Sequence, residues 1–269
     1  MAGLTFSQST SFLYSSESVT EGHPDKVCDQ ISDAILDAIF KQDPNARVAC
    51  ETATTTGLVV VMGEITTSAK VDYEALVRNK LAEIGYDDPE PGIDFKDCRV
   101  LIEIHEQSPD ISQAVTTALE YRHNEDIKED IVDLLGAGDQ GMMVGFACTE
   151  TEELMPLTIS LSHMLTRQLS IARKEGSIHN LKQAGKSQVT VEYSEGKPKR
   201  IHTIIVSTQH EPGIDLNTID ADIREKIISP VVPEGLIDSK TRILVNPSGS
   251  FVVGGPHGDA CLTGRMILV

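Results

Sequence analysis

The chain has 269 residues, 40% of them hydrophobic and 24% charged, which is the composition of a globular protein with one large domain or two modest ones. Its 41 acidic and 23 basic residues give a net charge of −18, a field that repels phosphate backbones and argues against nucleic acid as a partner. The chain has no apolar run near the roughly 20 residues that cross a bilayer, no signal-peptide pattern at its N-terminus, and five dispersed cysteines typical of reduced thiols, so we expect a cytoplasmic protein with no membrane partner.

The first half of the chain predicts five elements in the order helix, strand, strand, helix, strand. Apolar residues at every fourth position, from Val27 to Ile39, give the first helix its buried face. A Thr-Gly turn separates the two strands that follow. The predicted elements are a helix over 24–40, strands over 47–56 and 58–66, a helix over 71–84 and a strand over 99–105.

The same order returns in the second half, displaced by roughly 130–145 residues, which indicates an internal repeat. Its predicted elements are a strand over 142–149, a helix over 155–176 that ends at Gly176, strands over 187–193 and 200–208, a helix over 216–229 and a strand over 241–246. Each copy fits a split β-α-β-β-α-β unit, so we predict an α+β fold with two complete units and a third that has only started. The predicted domains are residues 1–125, 126–249 and 250–269, and we expect the last to be truncated.

The turn GHPDK places three different ionisable groups where the first helix begins. Pro24 suits the first helical position, and the exposed N–H groups and positive dipole end of the helix favour an anion. His23 and Lys26 would add donors for that anion, while Asp25 could hold the divalent cation that a polyphosphate brings. The turn therefore predicts a site for a nucleotide polyphosphate with its metal. The alternative is ordinary helix capping, with the lysine in solvent.

Further polar groups stand at glycine-rich turns and in strands. Asp139 lies between glycines in GAGDQG, which either let the backbone approach a ligand or form a tight turn. Lys186 lies at the start of a predicted strand, where its ammonium either meets a phosphate or stays in solvent. The run GGPHGDACLTGR has neither Walker nor GxGxxG spacing, so it is either a phosphate cradle or a simple turn. Glu51 and Glu64 lie in predicted strands, where each either faces water or coordinates a cation or an amine.

Taken in order, these motifs resemble S-adenosylmethionine synthetase, also called methionine adenosyltransferase. The resemblance runs from about Ser15 to the last residue, through TEGHPDK, ACETATTTGLVVVMGEITT, IHEQSPDI, GAGDQG, GKSQVTVEY, VSTQHE and GGPHGDACLTGR. It implies three related β-α-β-β-α-β units and the formation of S-adenosylmethionine from ATP and L-methionine, with release of phosphate and diphosphate. It also implies Mg²⁺ and K⁺ as cofactors, and a homodimer or a dimer of dimers with sites between subunits.

The resemblance assigns roles to individual residues. Those in the reaction and in phosphate contacts are His23, Lys26, Lys186 and Arg265. Those that hold metals are Asp25 for Mg²⁺ and Glu51 for K⁺. Those that bind the substrates are Glu64, Gln107, Asp139 from the neighbouring subunit and Asp259 for methionine, and Phe251 for adenine.

This sequence departs from the family pattern at several positions. Where the family has Arg-Pro-Asp, this chain has Lys182, Gln183 and Ala184. A family Arg is replaced by Ser250, a family Gly by Cys261 and a family Lys by Met266. These departures leave a second possibility beside an active transferase. It is a catalytically impaired paralogue or fragment that binds nucleotide or pairs with a full-length subunit.

Overall fold

The strands form two four-stranded sheets in a computed structural model of the chain. The structure describes residues 9–88, 92–108, 118, 136 and 141–266. The elements of the first half are β1 (Ser11–Val19), α1 (Pro24–Phe40), β2 (Arg47–Thr55), β3 (Leu58–Thr66), α2 (Tyr73–Ile84) and β4 (Arg99–His105). Those of the second half are α3 (Leu157–Lys174), β5 (Leu181–Ser194), β6 (Lys197–His210), α4 (Leu216–Asp222), α5 (Ser229–Val231), β7 (Arg242–Val245) and β8 (Cys261–Leu262). None of the described helices is long and apolar enough to cross a membrane.

The two sheets have the same topology, in the orders β4-β3-β2-β8 and β7-β6-β5-β1. Each contains an antiparallel hairpin, a parallel strand beside the second member of the hairpin and an antiparallel strand beside the first. The parallel strand follows a helix, as a split β-α-β unit requires. The repeated α+β fold is therefore confirmed.

One outer strand of each sheet comes from a distant part of the chain. β1 precedes α1 but pairs with β5, and β8 follows the second unit but pairs with β2. The predicted domain boundaries near residues 125 and 249 stay a prediction, and strand pairing crosses both of them. This pairing brings the beginning of α1 to the junction of the two sheets. It also brings there the glycine-rich segment, residues 251–260, which precedes β8.

Apolar periodicity predicts α1 correctly because that helix buries one continuous face. His23 is its N-cap, Pro24 occupies its first turn, and the residues at every fourth position are completely buried against β2 and β3. α3 also lies within its predicted range and ends just before Gly176, whose φ of +70° suits a residue without a side chain. The predicted helix over 216–229 is α-helical only to Asp222 and continues as a π-helical turn, Ile223–Ile228.

β1 was not predicted, because its inner face is polar. Ser18 is fully buried, and its hydroxyl lies 2.9 Å from His163 Nδ1 and 3.0 Å from Thr166 Oγ1 on α3. The hydroxyl of Ser16 lies 2.8 Å from that of Thr158 on the same helix. A buried strand face made of serines satisfies its polar atoms through such hydrogen bonds but carries no hydrophobic alternation.

The strand predicted over 142–149 is wrong. This segment has no strand structure, and its large apolar side chains are exposed: Met142, Met143, Val144 and Phe146. An apolar run predicts burial only where another strand is available to pair with it, and no described strand pairs with this one.

Leu165 offers a test of the packing of α3. Its side chain is completely buried, whereas that of its neighbour Met164 is 44% exposed. We expect Leu165→Ala to lower the free energy of unfolding by about 2–5 kcal/mol, because the truncated side chain leaves a cavity. Met164→Ala should change it by less than about 0.5 kcal/mol, as is typical of surface positions. Urea unfolding followed by circular dichroism measures both, and equal losses in the two variants would contradict the packing described here.

Candidate functional site

A cavity of about 320 Å³ lies where the start of α1 meets β5, β6 and the glycine-rich segment. Four residues singled out from the sequence lie in its wall: His23, Lys186, Phe251 and Asp259. Pro24, Ala184, Gly185, Ser207, Val253, Gly254, Gly255 and Gly258 complete the wall. The cavity therefore combines a helix N-terminus, a lysine, a carboxylate and an aromatic ring.

His23 is fixed at the entrance of α1 by the helix backbone. Its Nδ1 accepts a hydrogen bond from the Asp25 N–H at 3.3 Å, which makes it the N-cap. Burial lowers the pKa of His23 below its usual 6.5, the ammonium groups of Lys186 and Lys26 lower it further, and Asp25 opposes them. The ring is therefore neutral at pH 7.

Lys186 lies on β5 beside β1, at the open side of the cavity. Its Nζ lies 2.5 Å from Glu17 Oε2, and its side chain is 42% exposed. An ion pair this exposed is weak and can exchange its partner, since solvent screens both charges. Lys186 is therefore available to an anionic ligand.

Lys26 lies elsewhere, although the sequence placed it beside His23. Its Nζ lies 2.9 Å from Asp25 Oδ1 and 2.6 Å from Asp29 Oδ2, and donates to the Met266 carbonyl at 2.7 Å. Burial alone lowers the pKa of Lys26, but the hydrogen bond to Asp29 and the negative charge of Asp25 reverse that effect and raise the pKa above its usual 10.5. This ammonium lines a second cavity, of about 650 Å³, between α1 and α3.

Asp25 is completely buried, and both of its oxygens have neighbours. Oδ2 accepts the Met266 N–H at 2.8 Å, and Oδ1 faces the Lys26 ammonium without hydrogen-bond geometry. In the described part of the chain, no three His, Cys, Asp or Glu side chains come together as a metal site. The side chains around Asp25 therefore do not by themselves form a Mg²⁺ site. To bind the ion, Asp25 would have to give up its contact with the Lys26 ammonium.

The remaining predicted residues that the structure describes lie outside the cavity. Glu51 and Glu64 are exposed on one face of the first sheet, and Gln107 follows β4 with a buried Oε1 that has no described hydrogen-bond partner. Arg265 is exposed, and its Nη1 donates to the Ala260 carbonyl at 3.1 Å. Asp139 lies outside the described residues. The roles of all eleven predicted site residues stay predictions.

The end of β6 supplies two functional residues that the sequence reasoning missed. His210 is buried, donates from Nδ1 to the Glu211 carbonyl at 2.8 Å, and accepts the Phe251 N–H at Nε2 at 3.0 Å. Gln209 donates to the Val252 carbonyl at 2.9 Å and accepts the Ala184 N–H at 3.3 Å. Together they hold the glycine-rich segment against the second sheet. Their only sequence signal is a Gln-His pair in VSTQHE, which does not reveal the backbone it will bind.

The fold and the cavity define an α+β protein with a small-molecule pocket suited to an anionic ligand. Two family models match the chain: S-adenosylmethionine synthetase, N-terminal domain, over residues 11–109, and S-adenosylmethionine synthetase, central domain, over residues 134–251. S-adenosylmethionine synthase of Finegoldia magna is 56% identical to the chain over 254 residues, which are 94% of this chain and 64% of that relative. The chain belongs to the S-adenosylmethionine synthetase family, and it spans a little under two thirds of the length of this relative.

Two half-buried histidines give stability a defined dependence on pH. Burial lowers the pKa of His163, as it does that of His23, below the usual 6.5. As the pH falls, the unfolded chain therefore binds protons before the folded chain does. The contribution of these histidines to the free energy of unfolding should be fully present above about pH 6.5 and should decrease as the pH falls below that value. We expect His163→Gln to make this fall shallower. Urea titrations between pH 7.5 and pH 5 measure it, and an unchanged slope in the variant would refute the assignment.

Proposed function

We propose that the chain is a methionine adenosyltransferase, which forms S-adenosylmethionine from ATP and L-methionine and releases phosphate and diphosphate. The observation that carries the proposal is the cavity that unites His23, Lys186, Phe251 and Asp259 in a member of this family. These residues come from three distant motifs. The helix N-terminus at His23 and the ammonium of Lys186 suit the phosphates of ATP. The ring of Phe251 suits the adenine, and the carboxylate of Asp259 suits the ammonium of methionine.

The chemistry needs charge stabilisation more than proton transfer. The neutral sulfur of methionine displaces the triphosphate from C5′ of ATP, so no general base is required. Negative charge develops on the leaving oxygen, where the helix N-terminus, Lys186 and His23 would stabilise it. Burial favours the neutral form of His23, and the approach of a polyanion favours its protonated form, because an opposite charge raises the pKa of a histidine. Binding of the nucleotide would thus supply the charge that the reaction uses.

Mg²⁺ and K⁺ belong to the proposal through the family resemblance. A nucleotide brings most of the oxygen ligands of Mg²⁺ with it, so a single carboxylate such as Asp25 can be enough on the protein side. Glu51 is the candidate for K⁺. We derive no step through either ion, because the described residues do not form a closed site for them.

A specific observation favours the second candidate, an impaired paralogue or fragment that binds nucleotide or pairs with a full-length subunit. Lys26 is held by Asp25, Asp29 and the Met266 carbonyl, and is therefore not directed at the cavity. Ala184 lines the cavity where the family has a carboxylate, and Met266 replaces a family lysine. Turnover by the purified chain separates the two candidates.

The proposed partner is a second copy of the chain, in a homodimer or a dimer of dimers. One face of the first sheet packs on α1 and α2, and the opposite face exposes Met62, Leu101 and Leu262. Glu51 and Glu64 lie on this same exposed face, so a partner subunit would cover them. We place the protein in the cytoplasm, with support from its five free cysteines.

His23→Asn tests the transfer step. We expect it to lower the rate of S-adenosylmethionine formation by at least about 10²-fold, because the side chain acts on charge that develops in the transition state. The affinity for ATP should change much less. His202→Asn is the control, since that histidine lies on β6 away from the cavity and bonds Thr203. Assays with saturating ATP, methionine, Mg²⁺ and K⁺ measure the rate. Weakened ATP binding with unchanged turnover would remove His23 from this role.

Leu101→Lys tests the dimer. A charge on the exposed apolar face should convert a dimer into a monomer at micromolar concentration, because the interface would have to bury the ammonium. Phe40→Lys is the matched control, since Phe40 is equally exposed but lies at the end of α1, on the helical side. Sedimentation velocity measures both variants. A wild-type chain that is monomeric at micromolar concentration would contradict the proposal.

A further inference from the structure

Tyr86 is a fully buried residue that the proposed chemistry does not use. It follows Gly85, the left-handed residue that ends α2, and its backbone is fixed on both sides. The Tyr86 N–H donates to the Leu81 carbonyl at 2.9 Å, and the Tyr86 carbonyl accepts the Phe95 N–H at 2.9 Å. The ring therefore projects from a rigid base at the end of α2.

The hydroxyl of Tyr86 binds the turn that carries His23. It donates to the carbonyl of Gly22 at 2.5 Å. Burial raises the pKa of the phenol well above its usual 10, so the hydroxyl keeps its proton and stays a donor. Gly22 is confined on its other side as well, since a Cβ at this position would lie 2.5 Å from the Gln183 carbonyl oxygen. The turn is thus held between Tyr86 and β5.

The same hydroxyl contacts the opposite wall of the cavity. Gly255 has a φ of +61°, and a Cβ added there would lie 2.4 Å from the Tyr86 oxygen. Gly255 also positions Asp259, whose N–H donates to the Gly255 carbonyl at 3.2 Å. One buried oxygen therefore touches both chain segments that bring His23 and Asp259 to the cavity.

We propose that Tyr86 is a positioning residue, which holds the turn over 20–23 and the loop over 254–259 at a fixed separation and so sets the distance between His23 and Asp259. The proposal rests on the proposed function for its catalytic meaning, but its structural part stands alone. Without the hydroxyl, the buried Gly22 carbonyl has no other hydrogen-bond donor among the described residues, and the turn must move to find one. A displacement of about 1 Å in a reacting group can cost about 10²-fold in rate.

Tyr86→Phe removes the hydroxyl and keeps the ring. Tyr193→Phe is a matched control, because Tyr193 is also buried and donates to Glu150 at 2.7 Å, but lies away from the cavity. The first measurement is amide hydrogen exchange of both variants of the 269-residue chain, without ligand. In Tyr86→Phe, the amides of His23, Gly258 and Asp259 should exchange at least about tenfold faster, the effect of one lost buried hydrogen bond. These amides should be unchanged in Tyr193→Phe.

The second measurement separates positioning from substrate binding. In Tyr86→Phe, kcat for S-adenosylmethionine formation should fall at least about tenfold while the KM for ATP changes less than about threefold, since binding groups are kept and only their geometry shifts. Absence of turnover in the wild-type chain would count against the proposed function, and hydrogen exchange would then decide the role of Tyr86 alone. Unchanged exchange in either segment, faster exchange spread evenly over the chain, or a kcat equal to that of an active wild type would overturn the proposal.

Discussion

The buried contact between Asp25, Lys26 and the backbone of Met266 determines how the rest of the site is arranged. It joins the first turn of α1 to a segment 240 positions later in the chain. Asp29 extends the contact by accepting the Gly264 N–H at 2.8 Å. Removal of one member of a buried ion pair typically costs about 3–5 kcal/mol, because the other charge is left without compensation. The glycine-rich segment, and with it the cavity, depends on this contact.

The same arrangement explains why the two units form one structure. β1 crosses from the start of the chain to the second sheet, and β8 returns from its far end to the first. Each sheet therefore needs a strand from the other side of the repeat, so neither unit is complete by itself. Contacts of such long sequence separation form late in folding, because the closure of long loops has a large entropic cost. The start of α1 and the segment before β8, which both line the cavity, adjoin these connections.

The sequence predicted the elements whose burial follows a simple period. α1 and β4 have their predicted bounds, because one face of each is apolar and packs on a single core. β1 could not be found in this way, since the inner face carries serines that bond a helix about 145 positions away. The error over residues 142–149 has the opposite cause: the apolar side chains are present, but a described partner strand is not.

Among the site residues, the resemblance singled out His23, Lys186, Phe251 and Asp259, which lie in the wall of one cavity. The i,i+3 spacing of Lys26 and Asp29 allows their ion pair, but no local pattern could show that Lys26 also binds the distant Met266 carbonyl.

The polar contact between β1 and α3 has a consequence for the register of that strand. Hydrophobic contacts tolerate sliding, because they have no direction, whereas hydroxyl groups bond only partners at the right distance and angle. Ser16 and Ser18 meet Thr158 and His163 at one alignment of strand and helix, and a shift by one residue would turn both serines away from the helix. Replacement of a single member leaves an unsatisfied buried group, whereas joint replacement of a bonded pair by apolar side chains of similar shape does not. Substitutions along this contact are therefore interdependent, and its members are expected to change in pairs.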